Sequence, residues 1–419
     1  SPAREGAPDA SAESLFVLSA RNPDALAAKA RALLQMASDG GGLPPMGDLC
    51  YTAGARRTHH EQRLALVVRD AADLLDQVAA LVRGEARRGT SAGRAELGRG
   101  PKVVFVFSGQ GSQWLGMGRE LQQREPVFRD SLERCDAALR DEADWSLIDE
   151  LAAEREASRL DEIDVIQPTL FAIQVALASL WRSWGVVPAA VVGHGMGEAA
   201  AAHEAGVLGL EDALRVVCRR SRRLGRARGG TGVATEGDPA ALEEVRSELV
   251  RALEGLRPRS GALPLYSSVT GGVLEGAEMA ASYWGRNLAE PARFASAVQQ
   301  LARDGHAAFL EMSPHPLLLP EICRELRSLG REAAVLPSLK RGEGERATLL
   351  ESLGALYTMG QSIDWRALHP SGGACVRLFP YPWQRERFWF DEPAATGRPD
   401  PAKGRQPQRA GRLTEVSAG

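Results

Sequence analysis

Two short apolar runs, each closed by a glycine-rich turn, constrain the fold of this chain more than any other feature. The first covers residues 103–107 and leads into the turn SGQGSQW, and the second covers residues 187–192 and leads into the turn GHGMGE at 193–198. A helical pattern follows each turn, over residues 198–206 in the second case. Strands that turn directly into helices build parallel sheets, so we predict an α/β fold in which a mainly parallel sheet carries helices on both faces.

The second half of the chain continues this alternation. Leu265 and Tyr266 open a strand-like segment, and further strands are predicted at residues 307–312 and 333–336. Helical periodicity is found at residues 280–287 and 291–303.

The turn at residues 193–198 has the form of a nucleophile elbow, the strained strand-to-helix turn with the pattern GxSxG that exposes a reactive serine. Gly195 occupies the position of that serine. Six residues alone are also compatible with an ordinary glycine-rich turn. If the turn is an elbow, the framework for acyl transfer is present without its attacking hydroxyl.

The GQGSQ loop at residues 109–113, the elbow, and the basic helix at 210–223 that ends in RRSRR together resemble the acyltransferase domain of modular type I polyketide synthases, the malonyl-CoA:acyl carrier protein transacylase family. The resemblance implies an α/β-hydrolase-like acyltransferase core and a small α/β linker domain before it. It also implies an acyl-CoA substrate, no cofactor, no metal, and as partners a ketosynthase and an acyl carrier protein that bears phosphopantetheine.

The resemblance assigns candidate roles to residues around the elbow. The backbone N–H groups of Gln110 and Met196 would form the oxyanion hole, and these donors survive any change of side chain. Arg220 would bind the carboxylate of a malonyl-type group, with Arg219 as the alternative if the register is displaced by one residue. A basic residue near a helix end also favours the helix dipole, so a purely structural role stays open.

Gln167 would line the same pocket, and His194, which immediately precedes the elbow position, is assigned to the same substrate site. His315, in the segment SPHP, would be a structural or pocket-edge residue and not the base. Since Gly195 stands where the serine is lost, we predict that Gln167 and His194, with Arg220, are vestiges of a substrate site.

The resemblance also predicts what this chain lacks. In the family, the general base is a histidine that follows a ferredoxin-like small subdomain. Here only 46 positions separate Arg220 from Tyr266, none of them is a histidine, and residues 240–256 read as a single helix. We therefore expect the ferredoxin-like small subdomain to be largely missing, together with the base.

Other side chains do not replace the lost groups. Ser108 and Ser112 belong to the oxyanion loop, and no cysteine occupies an elbow. Seven histidines and five cysteines are scattered along the chain: His59, His60, His194, His203, His306, His315 and His369, and Cys50, Cys135, Cys218, Cys323 and Cys375. Since loss of the nucleophile costs on the order of 10⁶ in turnover, we predict an inactive site.

The predicted organisation has five parts. They are a linker at 1–12, a ketosynthase-acyltransferase linker domain at 13–100, an acyltransferase-like core at 101–350 with a truncated small subdomain at 221–262, a post-acyltransferase linker at 351–392, and a disordered tail at 393–419. The linker domain is expected to contain strands at 15–20 and 63–68, helices at 23–36 and 71–82, and a flexible connection at 84–100. Trp383, Phe388 and Trp389 are expected to need a packing partner.

Charge and composition indicate which partners and which cellular compartment to expect. The net charge of −3 argues against nucleic-acid and membrane partners, and we find no apolar run long enough to span a bilayer. Unpaired cysteine spacing fits a reduced compartment, so we expect a cytoplasmic protein. We also expect the excised chain to be monomeric.

Three functions remain open. The first is a structural scaffold between ketosynthase and downstream domains, with the extender unit supplied by another acyltransferase acting in trans. The second is a docking module for a trans-acting enzyme or carrier protein, which would keep an apolar patch exposed where the small subdomain was lost. The third is a residual acyltransferase that loads malonyl or methylmalonyl units.

Overall fold

A computed structural model describes residues 13–383 except residues 86, 97 and 228–238. Residues up to Pro382 belong to one compact unit, and Trp383 belongs to a second. The predicted linker at 1–12, the tail at 393–419, Phe388 and Trp389 lie outside the described residues.

Nine strands and fifteen α-helices are found in the described residues. The strands are β1 Ser14–Ala20, β2 Gln62–Val68, β3 Thr90–Arg94, β4 Val103–Phe107, β5 Ala190–Gly193, β6 Leu265–Tyr266, β7 Val273–Leu274, β8 Ala308–Met312 and β9 Ala334–Pro337. The helices are α1 Pro23–Met36, α2 Met46–Ala55, α3 Ala71–Val82, α4 Arg119–Arg124, α5 Pro126–Leu139, α6 Leu147–Ala152, α7 Ile163–Ser183, α8 Gly197–Glu204, α9 Leu210–Ala227, α10 Pro239–Ala252, α11 Ala281–Ala289, α12 Phe294–Arg303, α13 Leu319–Ser328, α14 Glu345–Thr358 and α15 Trp365–Leu368.

The larger sheet has the order β7-β6-β5-β4-β8-β9. Its strand pairs are parallel except for β6 and β7, which confirms the predicted α/β fold with a mainly parallel sheet. The central strand β4 is buried on both faces. Val104 and Val106 pack with α12 and α13 on one face, whereas Phe105 contributes to the larger core on the other. Because alternate residues of a strand point to opposite faces, one five-residue apolar run serves two cores.

Strand β5 begins later than the predicted strand at 187–192. Pro188 precedes it, and a proline cannot donate a backbone hydrogen bond to a sheet. Accordingly, Val187 stays exposed and the sheet pairing starts at Ala190.

The smaller sheet, β1-β2-β3, is antiparallel and lies in the predicted linker domain. Helices α1 and α3 begin where predicted, because Asn22 and Asp70 accept hydrogen bonds from the backbone N–H groups of their first turns. The prediction of a flexible connection at 84–100 is wrong, since β3 pairs with β2 from Thr90 to Arg94. The segment TSAGR has no apolar alternation to reveal an edge strand.

Helix α14 closes this smaller sheet. Its Gly354 approaches Ala65 of β2 and Leu15 of β1 closely, and a Cβ placed on Gly354 would lie 3.0 Å from the Ala65 Cβ. The predicted boundary between residues 350 and 351 therefore falls inside a helix that packs on the linker-domain sheet.

Helix α7 corrects the expectation that no segment is long enough to cross a bilayer. It has 21 residues and sufficient hydropathy, and 83% of its most apolar window is buried inside the protein. The helix fills the space between the sheet and α5, α8 and α9, which is the position of a core helix.

Candidate active site

The turn between β5 and α8 has the backbone of a nucleophile elbow. Gly195 adopts a left-handed conformation with φ of +57°, between the end of the strand and the first residue of the helix. The glycines on either side are required by close packing. A Cβ on Gly193 would overlap the backbone of Glu198, and one on Gly197 would overlap the carbonyl oxygen of Phe107.

Gly195 itself is under no such constraint. Apart from the glycine itself and its two chain neighbours, no heavy atom lies within 4 Å of the position where its Cβ would stand. The space in front of the turn would therefore accept a serine side chain, at the backbone angle that makes such turns strained. The elbow is preserved in shape, and only the side chain that would react is missing.

The loop after β4 lies against this turn. The His194 N–H donates to the carbonyl of Phe107 at 2.9 Å, and the position of a Cβ on Gly109 is 3.4 Å from the carbonyl oxygen of His194. Gln174 of α7 holds the loop from behind, because its Nε2 donates to the Ser108 carbonyl at 2.7 Å. The two glycine-rich turns predicted from the sequence thus meet.

Gln110 and Met196 lie in these two turns. Within the described part of the chain, neither of their backbone N–H groups donates to another residue. Both donors are therefore available to an outside acceptor, as an oxyanion hole requires.

Arg220, Gln167 and Gln110 form a chain of side-chain hydrogen bonds. Arg220 Nη1 donates to Gln167 Oε1 at 2.9 Å, and Gln167 Nε2 donates to Gln110 Oε1 at 3.3 Å. Arg219, the alternative, faces away and pairs with Glu142 at 3.1 Å. The structure thus brings Arg220 together with Gln167 and Gln110, two of the predicted site residues, and directs Arg219 elsewhere.

His194 is largely buried behind the elbow, with its ring edge-on to Phe294 at 5.5 Å between centroids. Burial lowers its pKa, so the ring stays neutral at pH 7. The other six histidines contact residues away from the elbow: His59 contacts Tyr357, His60 contacts Tyr381, His203 contacts Leu208, His306 contacts Tyr266, His315 contacts Arg341 and His369 contacts Tyr51.

Two further residues hold the elbow, and the sequence did not reveal them. Asn287 of α11 donates from Nδ2 to the Gly195 carbonyl at 3.0 Å. Glu198 is fully buried and accepts hydrogen bonds from the Ser268 backbone at 2.5 Å and from the Tyr283 hydroxyl. Burial raises the pKa of Glu198. The one available signal was the spacing of Tyr283 and Asn287, four apart on one face of α11.

Helix α10 lies where the small subdomain would begin. Leu249 and Leu253 are buried, and a Cβ on Gly285 of α11 would lie 2.7 Å from Val250. Arg219 Nη1 also donates to the carbonyl of Ala252, the last residue of α10. Between α9 and β6, α10 is the only helix or strand in the described residues.

The docking-module alternative predicts exposed apolar side chains around α10. Among the described residues, the exposed large apolar side chains lie outside α9, α10 and α11; they are Val82, Val127, Val187, Val273, Leu317 and Trp383. The described residues also hold no group of three or more His, Cys, Asp or Glu side chains able to bind a metal.

Comparison with known proteins agrees with this geometry. The family model "Acyl transferase domain" matches residues 104–246 and 231–362, and the model "CurL-like, PKS C-terminal" matches residues 14–78. Spectinabilin polyketide synthase system protein NorA' of Streptomyces orinoci is 39% identical, over 92% of this chain and 12% of that protein. Erythronolide synthase EryA2 of Saccharopolyspora erythraea is 34% identical, over 91% of this chain and 12% of that protein.

Among solved structures, the acyltransferase domain from module 8 of the salinomycin polyketide synthase is 33% identical, with a TM-score of 0.75. The match covers 86% of this chain and 99% of that domain. The chain thus corresponds to a small part of each full-length relative and to almost all of an isolated acyltransferase domain. It therefore belongs to the acyltransferase domains of modular polyketide synthases.

Proposed function

We propose that this chain is an inactive acyltransferase domain that serves as a scaffold between a ketosynthase and the domains that follow it. The extender unit is then supplied by another acyltransferase acting in trans. Acyltransferase domains of this family act on acyl-CoA substrates without a cofactor. The observation that carries the proposal is Gly195, which places hydrogen at the tip of an otherwise intact elbow.

The loss of the base supports the same conclusion. A serine hydroxyl is a weak nucleophile until a neighbouring base accepts its proton. His194 is the histidine nearest in sequence to this position, and its ring is turned against Phe294. The remaining oxyanion donors and binding residues give only a small part of the rate of a complete site.

Intact-protein mass spectrometry after incubation with malonyl-CoA and methylmalonyl-CoA tests inactivity. We expect no acyl adduct on the unmodified chain or on Gly195→Ser, because the variant restores a hydroxyl and no base. An adduct on the unmodified chain would contradict the proposal and reveal another nucleophile. An adduct on Gly195→Ser alone would show that the glycine by itself disables the site.

The scaffold role needs a separate test in the intact synthase, supplied with extender units by an added acyltransferase. We expect Arg220→Ala to leave product formation unchanged, because a scaffold does not bind the malonyl carboxylate. Leu249→Ala should lower product formation, because it weakens the packing of α10. Loss of product with Arg220→Ala would favour a residual acyltransferase.

The docking-module alternative would keep an apolar surface exposed where the small subdomain is reduced. In the described residues of α10, Leu249 and Leu253 are buried, which favours the scaffold over this alternative.

A further inference from the structure

A cavity in the linker domain is lined by cationic side chains and lies outside the acyltransferase site. Its volume is about 290 Å³. Lys29 of α1, Ala53 of α2 and the loop at residues 56–60 line one part of it. Residues 17–19 of β1 and residues 378, 379 and 381 line the rest. None of the residues singled out around the elbow contributes to this cavity.

The positive charges around the cavity are not paired with acids. In the described chain, Lys29, Arg56 and Arg57 form no ion pair with a carboxylate. Burial and the neighbouring Arg57 both lower the pKa of Lys29. Burial, Lys29 and Arg21 likewise lower the pKa of His60. The Glu61 carboxylate acts on His60 in the opposite direction, but the cavity lining itself contains no Asp or Glu. Cations that line one cavity without an acid repel each other, and a bound anion would relieve this repulsion.

The cavity wall holds its central cation in place. Lys29 Nζ donates to the Ser19 carbonyl at 2.7 Å and lies 4.9 Å from the centre of the Tyr381 ring. The His60 N–H donates to Ser19 Oγ at 2.9 Å, and the His60 ring stands edge-on to Tyr381. The ammonium group is therefore fixed at the cavity wall. It carries three N–H donors, so further N–H groups remain available to a ligand.

We propose that this cavity binds a phosphate or pyrophosphate group. Three basic side chains around a single small space match an anion that carries more than one negative charge. The guanidinium groups of Arg56 and Arg57 have the planar donor geometry that suits phosphate oxygens. At about 290 Å³, the volume lies at the lower end of small-molecule sites, so it suits a phosphate group better than a whole cofactor.

Calorimetric titration with inorganic pyrophosphate, at constant ionic strength, tests the site in the full chain. We expect Arg57→Gln and Lys29→Gln each to weaken binding by about tenfold, the usual effect of one charge-assisted contact. Arg57 is exposed, so its substitution should leave the fold intact. Arg31→Gln is the matched control, because it removes the same charge from an exposed position on α1, outside the cavity lining.

A comparison of pyrophosphate with ADP identifies the source of the group. Tighter binding of ADP indicates a phosphate ester, and equal binding indicates recognition of the phosphates alone. Absence of pyrophosphate binding, or equal weakening by Arg57→Gln and Arg31→Gln, would overturn the proposal. The measurement involves no acyl transfer, so its result is independent of the proposed inactivity.

Discussion

Three glycines within five residues of the elbow have different reasons to be glycine. Gly193 and Gly197 approach other backbone so closely that a Cβ would overlap it. Gly195 faces open space, and its only constraint is a φ of +57°. Gly193 and Gly197 thus determine the shape of the turn, whereas position 195 determines whether it bears a reactive side chain. Stability measurements on variants of each position can distinguish these roles.

We predict that Gly193→Ala and Gly197→Ala each lower the free energy of unfolding by at least about 1–3 kcal/mol, because buried backbone must move to make room for the Cβ. Gly195→Ala should cost only about 1–2 kcal/mol, the cost of a side chain in the left-handed region. Urea denaturation measures all three. Gly330→Ala is the control, since Gly330 has a φ of +61° and open space around its Cβ position. A larger loss for Gly195→Ala than for Gly197→Ala would contradict this account.

The sequence predicted those site residues that belong to a recognisable motif. It led to Gln110, Gln167 and Arg220, which the structure joins through hydrogen bonds. Their roles in binding stay predictions. The sequence did not lead to Asn287, because its partner is a backbone carbonyl 92 positions away, and no residue pattern marks a carbonyl.

At the scale of elements, α14 links the acyltransferase core to the linker-domain sheet. Its first residue, Glu345, accepts hydrogen bonds from the backbone N–H groups of Gly118 at 2.5 Å and Leu121 at 3.1 Å. The carboxyl thus caps the start of α4 from another helix. Burial raises the pKa of this carboxyl from 4.5 to about 7.

This shift predicts a pH dependence of stability. The folded chain holds the Glu345 proton more tightly than the unfolded chain, so its stabilising contribution is complete below pH 4.5 and is lost as pH rises through about 7. The Glu345→Gln variant has no titrating proton at this position. Between these pH values, the melting temperature of the unmodified chain should therefore fall more than that of the variant. Thermal melts at pH 5 and pH 8 measure the difference. Glu133→Gln, at an exposed carboxyl of α5, should show no such change.

Helix α10 gives a second prediction at this scale. Leu249 is fully buried against the core, so Leu249→Ala should lower the free energy of unfolding by about 2–5 kcal/mol. Glu244→Ala, on the exposed face of the same helix, should change it by less than about 0.5 kcal/mol. Equal effects in chemical denaturation would mean that α10 does not pack as described.

The elements that sequence predicted best have strong local signals. Helices α1 and α3 begin at capping residues, so their first residues could be predicted. Strand β3 depends on its pairing with β2 and on no apolar pattern of its own, so it was missed. Whether such a segment forms a strand depends on its tertiary contacts, which a short stretch of sequence does not reveal.

At the scale of the whole molecule, residues distant in sequence meet around one histidine. His59 receives a hydrogen bond at 2.7 Å from the hydroxyl of Tyr357, and its ring stacks on Trp365 at 5.3 Å between centroids. Its Nε2 hydrogen bonds to the Gly54 carbonyl at 2.8 Å, which makes Nδ1 the acceptor. The predicted linker domain therefore contacts helices α14 and α15, which follow the last strand of the larger sheet.

A double-mutant cycle tests this long-range contact. Tyr357→Phe and His59→Ala should show a coupling free energy of about 0.5–3 kcal/mol in chemical denaturation, because each removes one partner of the same hydrogen bond. Tyr357→Phe and His60→Ala should be additive, since His60 contacts Tyr381 instead. Additive losses in the first pair would contradict the described contact.

The open space in front of Gly195 has an evolutionary consequence. Packing does not require a side chain there, because outside the two chain neighbours no heavy atom lies within 4 Å of a Cβ on Gly195, and glycine also relieves the left-handed backbone angle. The nucleophile could thus be lost by drift in a single step while the synthase kept its shape. If the domain is inactive as proposed, a return of activity would require both a serine and a base, whereas the loss needed only one change.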